Sequence, residues 1–189
     1  MPPTECNNGA SGSRMHAIIS GAGIAGLTAA LALARAGFTA DVFEQAEELS
    51  EVGAGLQLSP NATRVLDALG ALSRLSATGT SIGSIDLIGA DTAGTLLGLS
   101  TSATVNSTGY PFLAVHRADL QSALLATVME SRGVRLFTGC GLANARQTGD
   151  GVEVDILSGA GMRTVAGTVK IGADGVWSRT RNFVKGSAK

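Results

Sequence analysis

Three glycines and one acid carry the clearest chemistry in this sequence. Gly21, Gly23 and Gly26 follow the apolar run Ile18-Ile19-Ser20 with the spacing G-x-G-x-x-G, and Glu44 closes the next apolar run, Val42-Phe43. That pattern suits the pyrophosphate of a dinucleotide. Gly21 permits a tight turn out of a strand, Gly23 lets backbone amides come close to phosphate oxygens, and Gly26 lets the following helix pack closely on a sheet. The phosphates would lie at the positive end of a helix beginning near Ile24. The interval from Gly21 to Glu44 holds a helix and a return strand, which brings the carboxylate to the ribose hydroxyls of an adenosine. Glycines and acid by themselves fit NAD(P) as well as FAD.

The elements that must position these groups follow from periodicity. Residues 1–14 are polar and rich in Asn, Gly and Ser, which predicts a disordered leader, with the fold starting near Met15. A helix over 24–36, apolar all round and stopped by Gly37, and a second parallel strand over 39–44 complete a βαβ unit. A loop with Gly53 and Gly55 follows, then a short strand over 56–58 and a helix from Pro60 to about Leu69. Between Thr80 and Leu113 the short runs 82–88 and 95–99 predict antiparallel strands, an insertion over 80–112 outside the nucleotide-binding sheet. A strand over 111–115, an amphipathic helix over 117–132 and a parallel strand over 134–137 come next. Runs 142–147, 152–157 and 164–171 predict a β-meander, and Lys170 to Gly175 reads as a strand running into a turn. The fold class is therefore α/β, a Rossmann-like parallel sheet with a meander and an antiparallel insertion.

Composition narrows the partners. The chain has 189 residues and a formal net charge of −1, with its basic residues scattered, so no nucleic-acid partner is expected. Cys6 and Cys140 lie far apart without a CxxC, which does not support a disulfide framework or a structural zinc site and fits a reducing cytoplasm; Cys140 reads as a small core residue. The apolar stretch after Arg14 is interrupted by His16, Ser20 and glycines, which argues against a secretory signal and against a membrane span. His16 and His116 read as scaffold residues.

A second motif lies near the other end. Gly172-Ala173-Asp174-Gly175-Val176-Trp177-Ser178-Arg179-Thr180-Arg181 is a strand end, an acid, a glycine and a helix-starting serine. With the N-terminal glycines, with Val42-Phe43-Glu44-Gln45, with Glu51-Val52-Gly53-Ala54-Gly55-Leu56-Gln57-Leu58-Ser59-Pro60-Asn61-Ala62 and with His116-Arg117-Ala118-Asp119-Leu120-Gln121, it resembles the single-component FAD-dependent aromatic hydroxylases. The resemblance is to the branch containing salicylate and 3-hydroxybenzoate hydroxylases, and it runs from Met15 to Arg181.

This resemblance implies FAD as cofactor, NAD(P)H as co-substrate and hydroxylation of a small phenolic acid by a complete enzyme. Carried over by position, Gly21, Ala22, Gly23, Ile24, Ala25 and Gly26 hold the FAD pyrophosphate, while Glu44 and Gln45 sit at the adenosine. Arg117 reaches the ribityl-phosphate section through charge-assisted hydrogen bonds. Leu142 offers backbone groups to the adenine, and Asp174 fixes the ribityl and pyrophosphate region and bears on NAD(P)H binding. No catalytic residue is assigned.

The family's later Gly-Asp motif and most of its substrate domain are not found in the sequence. Gly149-Asp150 reads as a hairpin turn and Gly89-Ala90-Asp91 as another. The chain therefore resembles the N-terminal half of a monooxygenase: a domain over 15–181 and a tail over 182–189, binding FAD weakly at most and hydroxylating nothing efficiently alone. An uncovered sheet edge would favour a homodimer or other association. Two other readings stay open, an NAD(P)-dependent oxidoreductase domain and a non-catalytic nucleotide-binding module.

Overall fold

A computed structural model describes residues 15–49, 54–91 and 93–184. The expected leader with Cys6, the Glu51-Val52-Gly53 segment and residues 185–189 of the tail lie outside the described residues. In chain order the elements are β1 (His16–Ser20), α1 (Ile24–Arg35), β2 (Thr39–Phe43), β3 (Gly55–Leu58), α2 (Pro60–Leu69), α3 (Leu72–Leu75), β4 (Thr80–Ser81), β5 (Ser84–Ile88), β6 (Thr95–Ser100) and α4 (Ser102–Thr108). They continue with β7 (Leu113–His116), α5 (Arg117–Glu130), β8 (Val134–Phe137), β9 (Gly141–Gln147), β10 (Val152–Ser158), β11 (Gly161–Gly167), β12 (Val169–Gly172) and α6 (Thr180–Val184).

Alternation of side chains along each strand divides the central sheet into two faces. The sheet is parallel, in the order β12-β1-β2-β8. On one face Ala17, Ile19, Ala40, Val42 and Val134 pack with Leu27, Ala30 and Leu31 of α1 and Leu120, Leu124 and Val128 of α5. On the other, Ile18, Phe43 and Phe137 pack with Leu142, Val154 and Ile156 of an antiparallel sheet in the order β11-β10-β9. Both faces are thus covered, as a parallel sheet with apolar residues on each side requires. Cys140 lies in this second core, as its apolar surroundings in sequence suggest.

One polar group is built into the meander-facing side. Asp41, 5% exposed, pairs with Arg135 on the neighbouring strand through two hydrogen bonds of 2.7 Å, and His16 Nε2 lies 3.4 Å from the same carboxylate. The strand register places Asp41 beside both Ile18 and Arg135. His16 Nδ1 is 2.8 Å from Thr39 Oγ1, so this histidine is a scaffold residue with two partners.

The structure corrects three element assignments. The run over 164–171 is two strands: β11 ends at Gly167 in the meander, the chain turns at Thr168, and β12 enters the parallel sheet beside β1. Thr168 marks the switch by exchanging hydrogen bonds with the His16 backbone. The 80–112 region is not all strand. It holds the β5–β6 ribbon and the short β4, and then α4, whose Ser, Thr and Asn content hides helical periodicity. Finally, α6 runs through the boundary drawn at 181–182, because Asp174 caps its start.

Candidate functional site

The C-terminal ends of β1 and β2 open onto a turn whose glycines have separate physical causes. Gly21 has φ +100°, a left-handed conformation, and a β-carbon there would collide with the Ala173 carbonyl oxygen. A β-carbon on Gly26 would collide with the Gly21 carbonyl oxygen, so α1 meets the turn at a distance only glycine allows. Gly23 is different. Its φ of −71° is ordinary, and a β-carbon there would meet nothing within 4 Å. Nothing within the described protein requires a glycine at that position.

Gly23 is also the N-cap of α1, with no side-chain cap and no acid in the first turn. Among the described residues no acceptor pairs with its amide. The start of a twelve-residue helix therefore presents uncompensated amides and the positive end of its dipole to an open space. Beneath the turn the Ser20 hydroxyl is buried and has no hydrogen-bond partner among the described residues.

Two side chains grip Ala22, which is fully buried. Glu44 Oε2 accepts a hydrogen bond from the Ala22 amide at 2.8 Å, while Oε1 accepts one from the Ala46 amide at 3.0 Å. On the other side, Nε2 of the buried Gln121 donates to the Ala22 carbonyl at 3.1 Å. Gln121 lies one turn into α5 from Arg117, whose backbone amide bonds to Ala54. The helix that carries Arg117 is thereby tied to the glycine turn. The sequence reading missed the role of Gln121, although a polar residue one turn from Arg117 on a helix that also buries leucines is a legible signal.

Beyond Glu44 the chain pairs with the segment after β8: Glu44 N donates to Phe137 O, Cys140 N to Glu44 O and Gly139 N to Ala46 O. This sets the exposed Gln45 against Gly141, where an added β-carbon would lie 3.6 Å from the Gln45 β-carbon. Leu142 follows. Its side chain is 7% exposed and belongs to the core. A break in the β9–β10 register leaves Ala143 without a partner, directly after Leu142. Arg179 Nη1 reaches the Leu142 carbonyl at 3.5 Å, a contact between residues too far apart for any local pattern to reveal.

Asp174 closes the other side of the turn through its neighbour Ala173, whose amide bonds to the Ser20 carbonyl at 2.8 Å. Its carboxylate accepts hydrogen bonds from Ser178 Oγ at 2.7 Å and the Thr180 amide at 3.0 Å. Burial works against its charge, but these hydrogen bonds outweigh burial and hold the pKa below the usual carboxylate value. Nearby, burial lowers the Lys170 pKa to about 8, opposed by the charge of Asp174, and Nζ donates to Thr180 Oγ1 at 2.7 Å.

The sequence-derived residues thus fall into two groups. Gly21, Ala22, Gly23, Ile24, Ala25, Gly26, Glu44 and Asp174 gather around one turn, and Gln45 and Leu142 form a ledge next to Glu44. Arg117 stands at the head of α5. Among the described residues no cluster of His, Cys, Asp and Glu could hold a metal ion, and no helix is long and apolar enough to cross a membrane.

Comparison with known proteins places this geometry in context. The model of a family described as an FAD binding domain matches residues 14–188. The chain is 35% identical over 170 residues to 3-hydroxybenzoate 6-hydroxylase 1 of Aquipseudomonas alcaligenes, covering 89% of this chain and 42% of that protein. It is 38% identical over 177 residues to 3-amino-4-hydroxybenzoate 2-monooxygenase PtnB3 of Streptomyces platensis, covering 92% of this chain and 42% of that one. Among solved structures, Klebsiella pneumoniae HpxO complexed with FAD and uric acid superposes with a TM-score of 0.73 at 28% identity, over 89% of this chain and 41% of that one. The chain therefore spans less than half the length of the relatives it matches.

Proposed function

Since this chain belongs to the FAD-binding domain family, we propose that its glycine turn, Glu44 and the adjoining ledge hold the ADP half of FAD in a flavoprotein monooxygenase of aromatic substrates. The observation that carries this reading is the asymmetry of the three glycines. Gly21 and Gly26 are demanded by the packing of the protein, whereas Gly23 has an ordinary φ and, among the described residues, faces open space with an amide that meets no acceptor. A glycine without a structural cause at an uncapped helix start is what close approach of a pyrophosphate requires.

In this reading the Gly23 amide and the first turn of α1, from Ile24 to Gly26, receive the phosphates. Glu44 already spends one lone pair of each oxygen on Ala22 and Ala46, and its remaining lone pairs take the ribose hydroxyls. Gln45 and the Leu142 backbone border the adenine, and Arg117 reaches the ribityl-phosphate section. Asp174 acts by fixing the loop that abuts Gly21. When bound, FAD supplies the redox chemistry, with NAD(P)H as reductant; the protein binds, orients and shields.

The whole protein's activity is proposed from its relatives: hydroxylation of a phenolic acid, in the cytoplasm, with the remainder of the substrate site supplied by polypeptide beyond this chain. The 80–112 region belongs to that substrate domain. In the β5–β6 ribbon, Leu87 pairs with Leu97 and Ile85 with Leu99, giving one apolar face of which Leu87, Leu97 and Leu99 are more than half exposed. A two-stranded ribbon needs such a face covered, by further polypeptide or by a second copy.

The reading is tested by titrating the purified chain with FAD, following flavin fluorescence and melting temperature. Saturable binding with a raised melting temperature supports it. A folded chain that binds NADH or NADPH but not FAD would transfer the site to a nicotinamide-dependent oxidoreductase, and a folded chain that binds none of them would leave a non-catalytic module.

A further inference from the structure

Resting on the reading of the glycine turn as an FAD pyrophosphate site, we infer that Gln121 is a positioning residue that aims the Gly23 amide at the phosphates. The Ala22–Gly23 peptide is planar and trans, so its carbonyl and its N–H point in opposite directions. Gln121 Nε2 fixes the carbonyl by a 3.1 Å hydrogen bond. The Gly23 N–H is thereby directed away from α5, where no acceptor among the described residues meets it and where a β-carbon on Gly23 would find none of their atoms within 4 Å.

The preceding peptide is fixed by a different group, since the Ala22 amide is held by Glu44. The two side chains therefore divide the work. Glu44 orients the Gly21–Ala22 peptide, and Gln121 orients the next one, whose amide is the free donor. Gln121 comes from 99 residues further along the chain and is 6% exposed. A buried amide donor on a helix otherwise packed by Leu120, Leu124 and Val128 is kept at the expense of apolar packing. Its position also links α5, which begins with Arg117, to the turn. Packing alone explains neither a polar side chain at this place nor its aim at the one carbonyl that governs the Gly23 amide.

The test compares the wild-type chain with Gln121→Met and Gln121→Leu, which fill the buried site but remove the hydrogen-bond donor. Three readouts are taken: FAD affinity by flavin fluorescence, melting temperature without ligand, and the Gly23 amide resonance with and without FAD. Loss of one buried hydrogen-bond donor to a pre-oriented site should weaken FAD binding about tenfold at a temperature where the variants are fully folded. The Gly23 resonance should move in the unliganded variants and respond less to FAD. A variant that melts lower yet binds FAD within twofold of wild type, with the Gly23 resonance unmoved, would reduce Gln121 to a structural residue and overturn the inference. If neither variant folds, a through-hydrogen-bond coupling between Gln121 Nε2 and the Ala22 carbonyl carbon in the wild type decides: its presence, with an FAD-induced shift at Gly23, supports the inference, and its absence refutes it. Failure of the wild type itself to bind FAD would instead remove the premise.

Discussion

The Glu44 carboxylate and the Ala22 amide, 22 residues apart in sequence, are joined by a 2.8 Å hydrogen bond across the ends of β2 and β1. The acid that would take the ribose is therefore already part of the turn that would take the phosphates. Charge-assisted hydrogen bonds of this kind are worth about 1.5–3 kcal/mol when well formed. Glu44→Ala should lower the melting temperature and abolish measurable FAD binding. Glu44→Gln keeps one acceptor oxygen, and should retain most of the stability while weakening FAD at least about tenfold, or about 1.4 kcal/mol. Calorimetric melting and fluorescence titration of both variants check this; equal affinity in Glu44→Gln and wild type would count against a ribose role.

The three glycines should separate under substitution by alanine. Gly21→Ala and Gly26→Ala meet backbone atoms, Gly21 also at φ +100°, and should cost about 2–5 kcal/mol. Gly23→Ala meets nothing, and should change stability by no more than about 0.5 kcal/mol. Its FAD affinity should nevertheless fall, because the new methyl group occupies the approach to the phosphates. Urea unfolding measured beside FAD titration distinguishes the two classes.

Acid stability should depend on the Asp41–Arg135 pair. Burial raises the Asp41 pKa, but hydrogen bonds from His16 and Arg135 more than compensate, so the folded value lies below the reference of 3.8. A carboxyl lowered on folding stabilises the protein above its unfolded pKa, and that contribution disappears as the pH falls through the folded value. Arg135→Met removes the bidentate partner of a carboxylate that is 5% exposed. It should cost about 1–3 kcal/mol at neutral pH and move the acid-unfolding midpoint upward. A pH series of thermal melts measures the shift, and an unchanged midpoint would show that the pair does not govern acid stability.

On the alkaline side the slope has the same sign but a different cause. The Lys170 pKa falls from 10.5 to about 8 on folding, chiefly through burial. Between those values the unfolded chain binds more protons than the folded one, so this residue makes stability rise with pH from about 8 to 10.5. Lys170→Met should flatten that rise. Denaturant midpoints across this interval, compared with wild type, provide the measurement.

Much of this architecture is readable from the sequence because its strongest signals are local. The glycine spacing, the apolar strands on either side of α1 and the terminal acid of β2 agree with one another at every level, as does the meander with its turn residues. The failures have identifiable causes. The split at Thr168 is invisible because 164–171 is one continuous β-favouring run, and only pairing with β1 decides where the meander ends. Helix α4 carries no apolar face and buries none of its residues, so periodicity had nothing to report. Within the site, the spacing of Gly21, Gly23 and Gly26 already separates a turn, an approach and a packing role, and the surroundings of each α-carbon add the atoms that a side chain at Gly21 or Gly26 would meet. Arg179 depends on a contact 37 residues distant, beyond any local pattern, whereas Gln121, whose partner lies 99 residues away, leaves only the local trace of a polar residue on a leucine-bearing helix.

The most direct test of the account is competition against FAD by its two halves, ADP and FMN, with bound flavin followed by fluorescence. A cradle made of the Gly23 amide, the start of α1, Glu44 and the Gln45–Leu142 ledge recognises the adenosine and pyrophosphate. ADP should therefore displace FAD and raise the melting temperature by itself, whereas FMN should do neither. Displacement by FMN with indifference to ADP would place the flavin end, not the ADP end, in the described residues and would contradict the assignment of the glycine turn.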